Sequence, residues 1–119
     1  MLTRLVSFFA EPDQIPEIER RIHEEVLPRF LAVPQFLGFI VLQSDGSRPE
    51  IVAMSLWNEG LEGSEAISEK FRDEVERVTG AAPARKEFNV LKMIVRGPSG
   101  EVVLDLPRTS GPSPGGDAS

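Results

Sequence analysis

The sequence contains no cysteine and no tyrosine, and only one tryptophan and one histidine. Without cysteine there is no disulfide framework, no thiolate nucleophile and no thiolate-held metal or iron–sulfur centre. A single histidine cannot furnish the ligand set of a protein-only zinc site. Long apolar runs are missing too, since no stretch approaches the roughly eighteen residues a membrane-crossing helix needs. Basic residues are outnumbered, 13 against 19 acidic, for a net charge of −6. That balance argues against a partner read through its phosphates and against an anionic membrane surface.

What remains is an ordinary globular composition, 40% hydrophobic and 27% charged over 119 residues, which predicts one domain with a sizeable core. The first residues, MLTRLVSFFAEPD, carry a short apolar run with no small-residue cleavage pattern. They read as the start of a strand rather than a signal peptide, and the expected location is the cytoplasm.

Leu2 to Ala10 is strand one, with Leu5, Ser7 and Phe9 on one face and Arg4, Val6 and Phe8 on the other. Both faces are largely apolar, so cover is expected on both sides. Asp13 then opens an amphipathic helix whose stripe is Ile15, Ile18, Ile22, Val26, Phe30 and Val33. Pro28 cannot donate to the carbonyl of Glu24, which predicts a kink there, and Pro34 closes the element. Strand two, Gln35 to Ser44, leads through Asp45-Gly46 into strand three, Glu50 to Trp57. After an exit loop from Asn58 to Gly63, Ser64 caps a second helix with the stripe Ile67, Phe71, Val75 and Val78, stopped by Gly80. Strand four runs from Lys86 to Val95. The body is therefore residues 1–96. Residues 97–106 form an extension in which Val102 to Leu104 makes a short strand or a strap, and the Pro/Gly/Ser-rich residues 107–119 read as a disordered tail.

Strand–helix–strand–strand–helix–strand is a ferredoxin-like α+β order: a four-stranded antiparallel sheet with both helices on one face. The bare face is expected to carry Leu5, Phe9, Ala53, Trp57, Val90 and Ile94. So apolar a face predicts a second sheet against it, most simply a homodimer about a two-fold axis.

The strings VLPRFLAVPQFLGFIVL and IVAMSLWNEGLEGSEAI resemble the antibiotic biosynthesis monooxygenase-like superfamily, the dimeric α+β barrels. The likeness rests on Pro28 late in helix one, on Phe36 and Gly38 opening strand two, and on Trp57 before the acidic positions Glu59 and Glu65. It spans residues 2 to 96. It implies a cavity for a small hydrophobic or aromatic metabolite and, in the oxygenase branch, catalysis with no metal or flavin cofactor. A non-catalytic binding or accessory dimer is the alternative. The haem-degrading branch does not fit: it uses an asparagine on strand one, a tryptophan in helix two and a histidine near that helix, and none stands here.

Six side chains are candidates for the ligand site. Trp57 offers a stacking face and an indole N–H, or is simply a core residue at the strand–loop junction. Lys92, expected mid-strand, would bind an enolate or carboxylate or act as a base, or snorkels to the rim or pairs with an acid across the dimer. Ser7 and Ser55 would orient a hydroxyl or bond locally, and Phe9 would line the cavity. His23, at the edge of the helix-one stripe, lines the cavity or lies on the charged face. Arg4 and Arg29 are anion contacts or surface pairs.

Overall fold

The computed structural model describes residues 1–58 and 63–106, with side chains to residue 103. It divides into two compact units, Leu2–Phe88 and a second made of Met1 with the residues from Asn89 onward.

In the first unit, β1 (Leu2–Phe9), β2 (Phe36–Gln43), β3 (Glu50–Trp57) and β4 (Ala84–Asn89) form one sheet in the order β2-β3-β1-β4. β1 and β2 both run antiparallel to β3. The two interior strands are therefore β1 and β3, and β2 and β4 are edges. The hairpin between β2 and β3 closes with the Ser44 N–H on the Glu50 carbonyl at 3.0 Å.

The first helix starts earlier than expected. A 3-10 turn, Pro12–Gln14, precedes α1 (Ile15–Arg21), with Glu11 rather than Asp13 at the N-cap position. The Gln14 side-chain oxygen accepts the Glu11 N–H at 2.8 Å, one arm of a capping box. α1 continues into a π-helical turn, Ile22–Val26, and then α2 (Leu27–Leu31). The Leu27 N–H reaches back five residues to the Ile22 carbonyl. The expected disturbance at Pro28 thus takes the form of a widened turn just ahead of it. That turn carries the chain past a ring with no N–H to give and no room against the carbonyl of Glu24.

α3 (Glu65–Thr79) ends at Gly80, whose φ of 83° is the left-handed conformation that glycine adopts without strain. Ser64 occupies the N-cap position, yet its side chain makes no capping bond to the first turn. Its hydroxyl faces Arg4 instead.

Both helices lie on one face of the sheet. Ile18, Ile22, Val26 and Phe30 from the first, and Ile67, Phe71 and Val75 from α3, are buried with Val6, Phe8, Ile51, Ala53 and Trp57 of the sheet. Here one expectation is corrected. Ala53 and Trp57 were assigned to the bare face, but the register pairs Val6 with Ala53 and Leu2 with Trp57, which turns both toward the helices. The bare face carries Leu5, Phe9, Ile40, Leu42, Met54 and their neighbours, and Phe9, Ile40 and Leu42 are exposed. It is as apolar as expected, with different residues.

The long fourth strand is also corrected. β4 ends at Asn89, so Val90 is in no strand, and Ile94 belongs to β5 (Met93–Arg96). In the second unit β5 pairs antiparallel with β6 (Val102–Leu106), the short strand anticipated at Val102 to Leu104. Residues 107–119 and the exit-loop residues 59–62 lie outside the described residues. Among the described residues no helix is long and apolar enough to cross a membrane.

Candidate functional site

The six candidate side chains do not converge. Trp57 and Ser55 lie together beneath the helices, both buried. The indole Nε1–H donates to Ser55 Oγ at 2.9 Å. The ring meets Phe30 and Phe36 edge-on at centroid distances of 5.4 and 5.5 Å, and Phe30 in turn stacks on Phe36 at 5.1 Å. Trp57 therefore has aromatic neighbours edge-on and its one donor occupied. That is the environment of a core residue.

Ser7 and Phe9 sit elsewhere, on the bare face at the far end of β1. They line a cleft of about 280 Å³ with Arg48, Glu50 and Thr79. The Arg48 guanidinium lies over the Phe9 ring, 5.4 Å from its centroid, and 3.6 Å from Glu11.

Lys92 was expected mid-strand and is not. It falls in the link between β4 and β5, exposed, in the second unit. The strand is interrupted there although the alternation that suggested it runs on to Val95, so no sheet buries its charge.

His23 stands in the π turn, on the outer side of the first helix. With Ile22, Glu19, Glu24, Phe39 and Val41 it lines an open groove of about 530 Å³ between that helix and the edge strand β2. A narrower extension of about 100 Å³ continues the groove over Ile15, Ile18 and Val41. The floor is apolar because Phe39 and Val41 are the helix-facing residues of β2, and no strand lies beyond them. The rim is polar. Arg20 is held between Glu17 at 2.7 Å and Glu24 at 2.7 Å, so its charge is spent within the helix. Those bonds from Arg20, and then from Arg21, pull the Glu17 carboxyl down to about 2. Glu19 forms no ion pair among the described residues. The groove thus joins an apolar floor, an imidazole and a net acidic margin.

Two buried charges escaped the sequence reading. Arg4 is among the most buried side chains and not a surface pair. Its guanidinium donates to Glu87 Oε2 from Nε at 3.0 Å and from Nη2 at 2.9 Å, to Glu65 Oε2 at 2.7 Å, and to the hydroxyls of Ser64 and Ser68. This pins β1, β4 and the start of α3 together. Arg29 donates to the backbone carbonyl of Glu25 at 3.1 Å, a local contact. Glu74, on the inner side of α3, accepts from Arg21 at 2.5 Å, Lys70 at 2.9 Å and Arg77 at 3.0 Å. Lys70 is the chief reason its carboxyl is held below the ordinary range, against the opposing effect of burial. An apolar flank gave away neither residue; a lone charge between two strand hydrophobics was the available signal for Arg4.

No protein-family profile matches the sequence, and no curated protein matches it. Solved structures do. The chain is similar to the monooxygenase ActVA-Orf6 of Streptomyces coelicolor, solved with nanaomycin D: TM-score 0.62, 14% identity, covering 81% of this chain and 92% of that one. It is similar to a variant of SnoaB, a cofactor-independent oxygenase of Streptomyces nogalater: TM-score 0.58, 14% identity, 77% and 94% covered. A variant of MhuD with two manganese protoporphyrin IX molecules bound per active site gives TM-score 0.55, 21% identity, and 82% and 100% covered. The fold is that of the antibiotic biosynthesis monooxygenase-like proteins. One of these structures holds nanaomycin D and another manganese protoporphyrin IX, so for this chain the likeness speaks for the architecture. Among the described residues no group of three or more His, Cys, Asp or Glu is arranged to hold a metal ion.

Proposed function

We propose that this protein is a homodimeric α+β barrel of the antibiotic biosynthesis monooxygenase-like kind that binds a small hydrophobic or aromatic metabolite. The observation that carries the reading is the groove of about 530 Å³ beside His23, floored by Ile22, Phe39 and Val41. Its volume lies within the ~300–1,000 Å³ of small-molecule sites, and one imidazole over an apolar floor is the kind of sparse polar anchoring such sites use. The dimer is supported by the exposed apolar sheet face, which is too large a surface to leave in water on a monomer.

Cofactor-independent oxygenation is the second reading, favoured by the imidazole in the groove. A histidine can take the proton of a bound anthrone or quinol. The substrate carbanion then reacts with dioxygen, and an anthrone CH2 becomes a quinone carbonyl with release of one water. His23 is the base this reading assigns, with the Glu19 and Glu24 carboxylates as the other acceptors on the groove. A non-catalytic binding dimer uses the same groove without that step.

The experiment is a titration of the uniformly labelled protein with a panel of anthrones, quinols and fatty acids, following the imidazole resonances. There is one histidine, so the assignment is unambiguous. A saturable shift supports the groove as the site, and a panel that leaves the imidazole unmoved overturns it. Oxygen uptake with a dihydroxyanthrone, present in the parent and lost in His23→Ala, separates the oxygenase from the binding dimer.

A further inference from the structure

The groove of about 530 Å³ beside His23 has an apolar floor and a margin whose charges do not cancel. Among the described residues Arg20 is the one lysine or arginine that lines it. Its guanidinium is bonded to two carboxylates, Glu17 and Glu24, at 2.7 Å each. One positive charge between two negative ones leaves an excess of acid. Glu19 adds to that excess, because it lines the same groove and has no ion pair among the described residues.

Acceptors outnumber donors in the backbone of the same margin. In the π turn the Leu27 N–H goes to the Ile22 carbonyl, which takes the α-helical donor away from His23. Pro28 has no N–H to give the carbonyl of Glu24. His23 and Glu24 both line the groove, and the imidazole offers a ring nitrogen besides. The donors of Arg20 are already committed, with Nε on Glu17 as well at 2.9 Å. A ligand that satisfies this margin brings hydrogen-bond donors and positive charge with it.

We infer that the groove takes an aromatic ammonium compound, with the ring on Phe39 and Val41 and the ammonium at Glu19. An ammonium carries three donors and no acceptor, the complement of this margin. The same ring with a carboxylate meets the field with the wrong sign, and with a hydroxyl it gains nothing from the charge. Fatty acids are therefore the poorest match to the groove. The inference rests on the groove reading above and names the ligand class for it. It does not depend on the oxygenation step.

Three probes with one indole body and different heads separate charge from apolar fit: tryptamine, tryptophol and indole-3-propionate. Each is titrated into the labelled protein at neutral pH and low salt, following the His23 imidazole resonances. Tryptamine is expected to bind about three- to fivefold tighter than tryptophol, the yield of one partly exposed charge pair, and the propionate weakest. Added salt should narrow the gap between amine and alcohol. Glu19→Gln is expected to close it. Asp73→Asn, on the exposed side of α3, removes the same charge away from the groove and should leave the gap as it was. Equal affinity for the three heads, or a preference for the propionate, overturns the ammonium class and leaves the groove standing as an apolar site. A gap that survives Glu19→Gln overturns the seat at Glu19. If the three probes leave the imidazole unmoved while an anthrone or quinol shifts it, the ammonium class alone falls. If nothing shifts it, the groove reading falls too.

Discussion

Trp57 Nε1 donates to Ser55 Oγ at 2.9 Å, two residues back on the same buried side of β3. Both were sequence candidates for a ligand contact, Trp57 with a core reading beside it and Ser55 with a local bond, and the observed bond holds the indole within the core. Trp57→Ala is expected to cost about 3–5 kcal/mol in urea unfolding through the cavity it leaves among Phe30 and Phe36. Ser55→Ala is expected to cost about 1–3 kcal/mol, because the indole N–H stays buried without a partner. If Ser55→Ala is neutral in stability, the hydroxyl is not the acceptor that holds the ring.

Arg4 is a second inward charge. Its guanidinium uses all its donor directions on Glu87, Glu65, Ser64 and Ser68. Arg4→Ala is expected to destabilise by roughly 3 kcal/mol, the lower end for a broken buried pair, since the carboxylates left behind are partly exposed. Arg4→Lys should restore little of this, because an ammonium cannot span the same fork. Glu87→Gln should cost more than Glu65→Gln: Glu87 accepts two of the bonds, and Glu65 accepts one and is more exposed. Urea midpoints of the four variants rank these directly.

The element order, the apolar stripes of both helices and the alternation of β3 were legible because each is a local periodicity. Ile51, Ala53, Ser55 and Trp57 do share a face. Which side of the sheet that face takes was not legible. β1 and β3 are largely apolar on both sides and the Arg4 charge of β1 lies on the helix side, so polarity does not mark the solvent face, and the choice falls to a register that only the pairing sets. Arg4 failed for a related reason. A buried arginine is recognised by its acids, and Glu65 and Glu87 lie about sixty and eighty residues away in sequence. Lys92 failed differently: alternation continues across Val90 to Lys92 although the strand does not, since a break in pairing leaves no mark on hydrophobic period. His23 was placed correctly at the margin of its stripe, but the groove beneath it depends on β2 being an edge.

The acid limb of stability should run through Glu74. Its carboxyl is lowered in the folded protein, first by Lys70, so the folded state binds its proton less readily than the unfolded chain does. The resulting stability is present above the ordinary carboxylate range of about 4 and is lost as pH falls through the lowered folded value. Urea midpoints should therefore decline as pH falls below the ordinary carboxylate range of about 4. Glu74→Gln should lower the midpoint at pH 7 and flatten that decline. An unchanged slope in the variant would assign the acid limb to other carboxylates.

The bare sheet face gives the remaining test. Leu5 and Met54 face each other across β1 and β3 near the centre of the sheet, on the side away from the helices. If two such faces meet, Met54→Lys places an ammonium in the dry contact with no carboxylate among its immediate strand partners Leu5 and Ile40. About 3 kcal/mol for an unpaired charge of this kind corresponds to roughly a hundredfold weaker association. Light scattering at micromolar concentration should then fall from twice the chain mass to the chain mass, with the circular dichroism of the monomer retained because Met54 does not face the helices. Asp73→Lys on the exposed side of α3 changes charge by more and should leave the mass alone. A parent protein that is itself monomeric removes the sheet-to-sheet contact altogether. A parent dimer that survives Met54→Lys overturns the sheet-to-sheet contact.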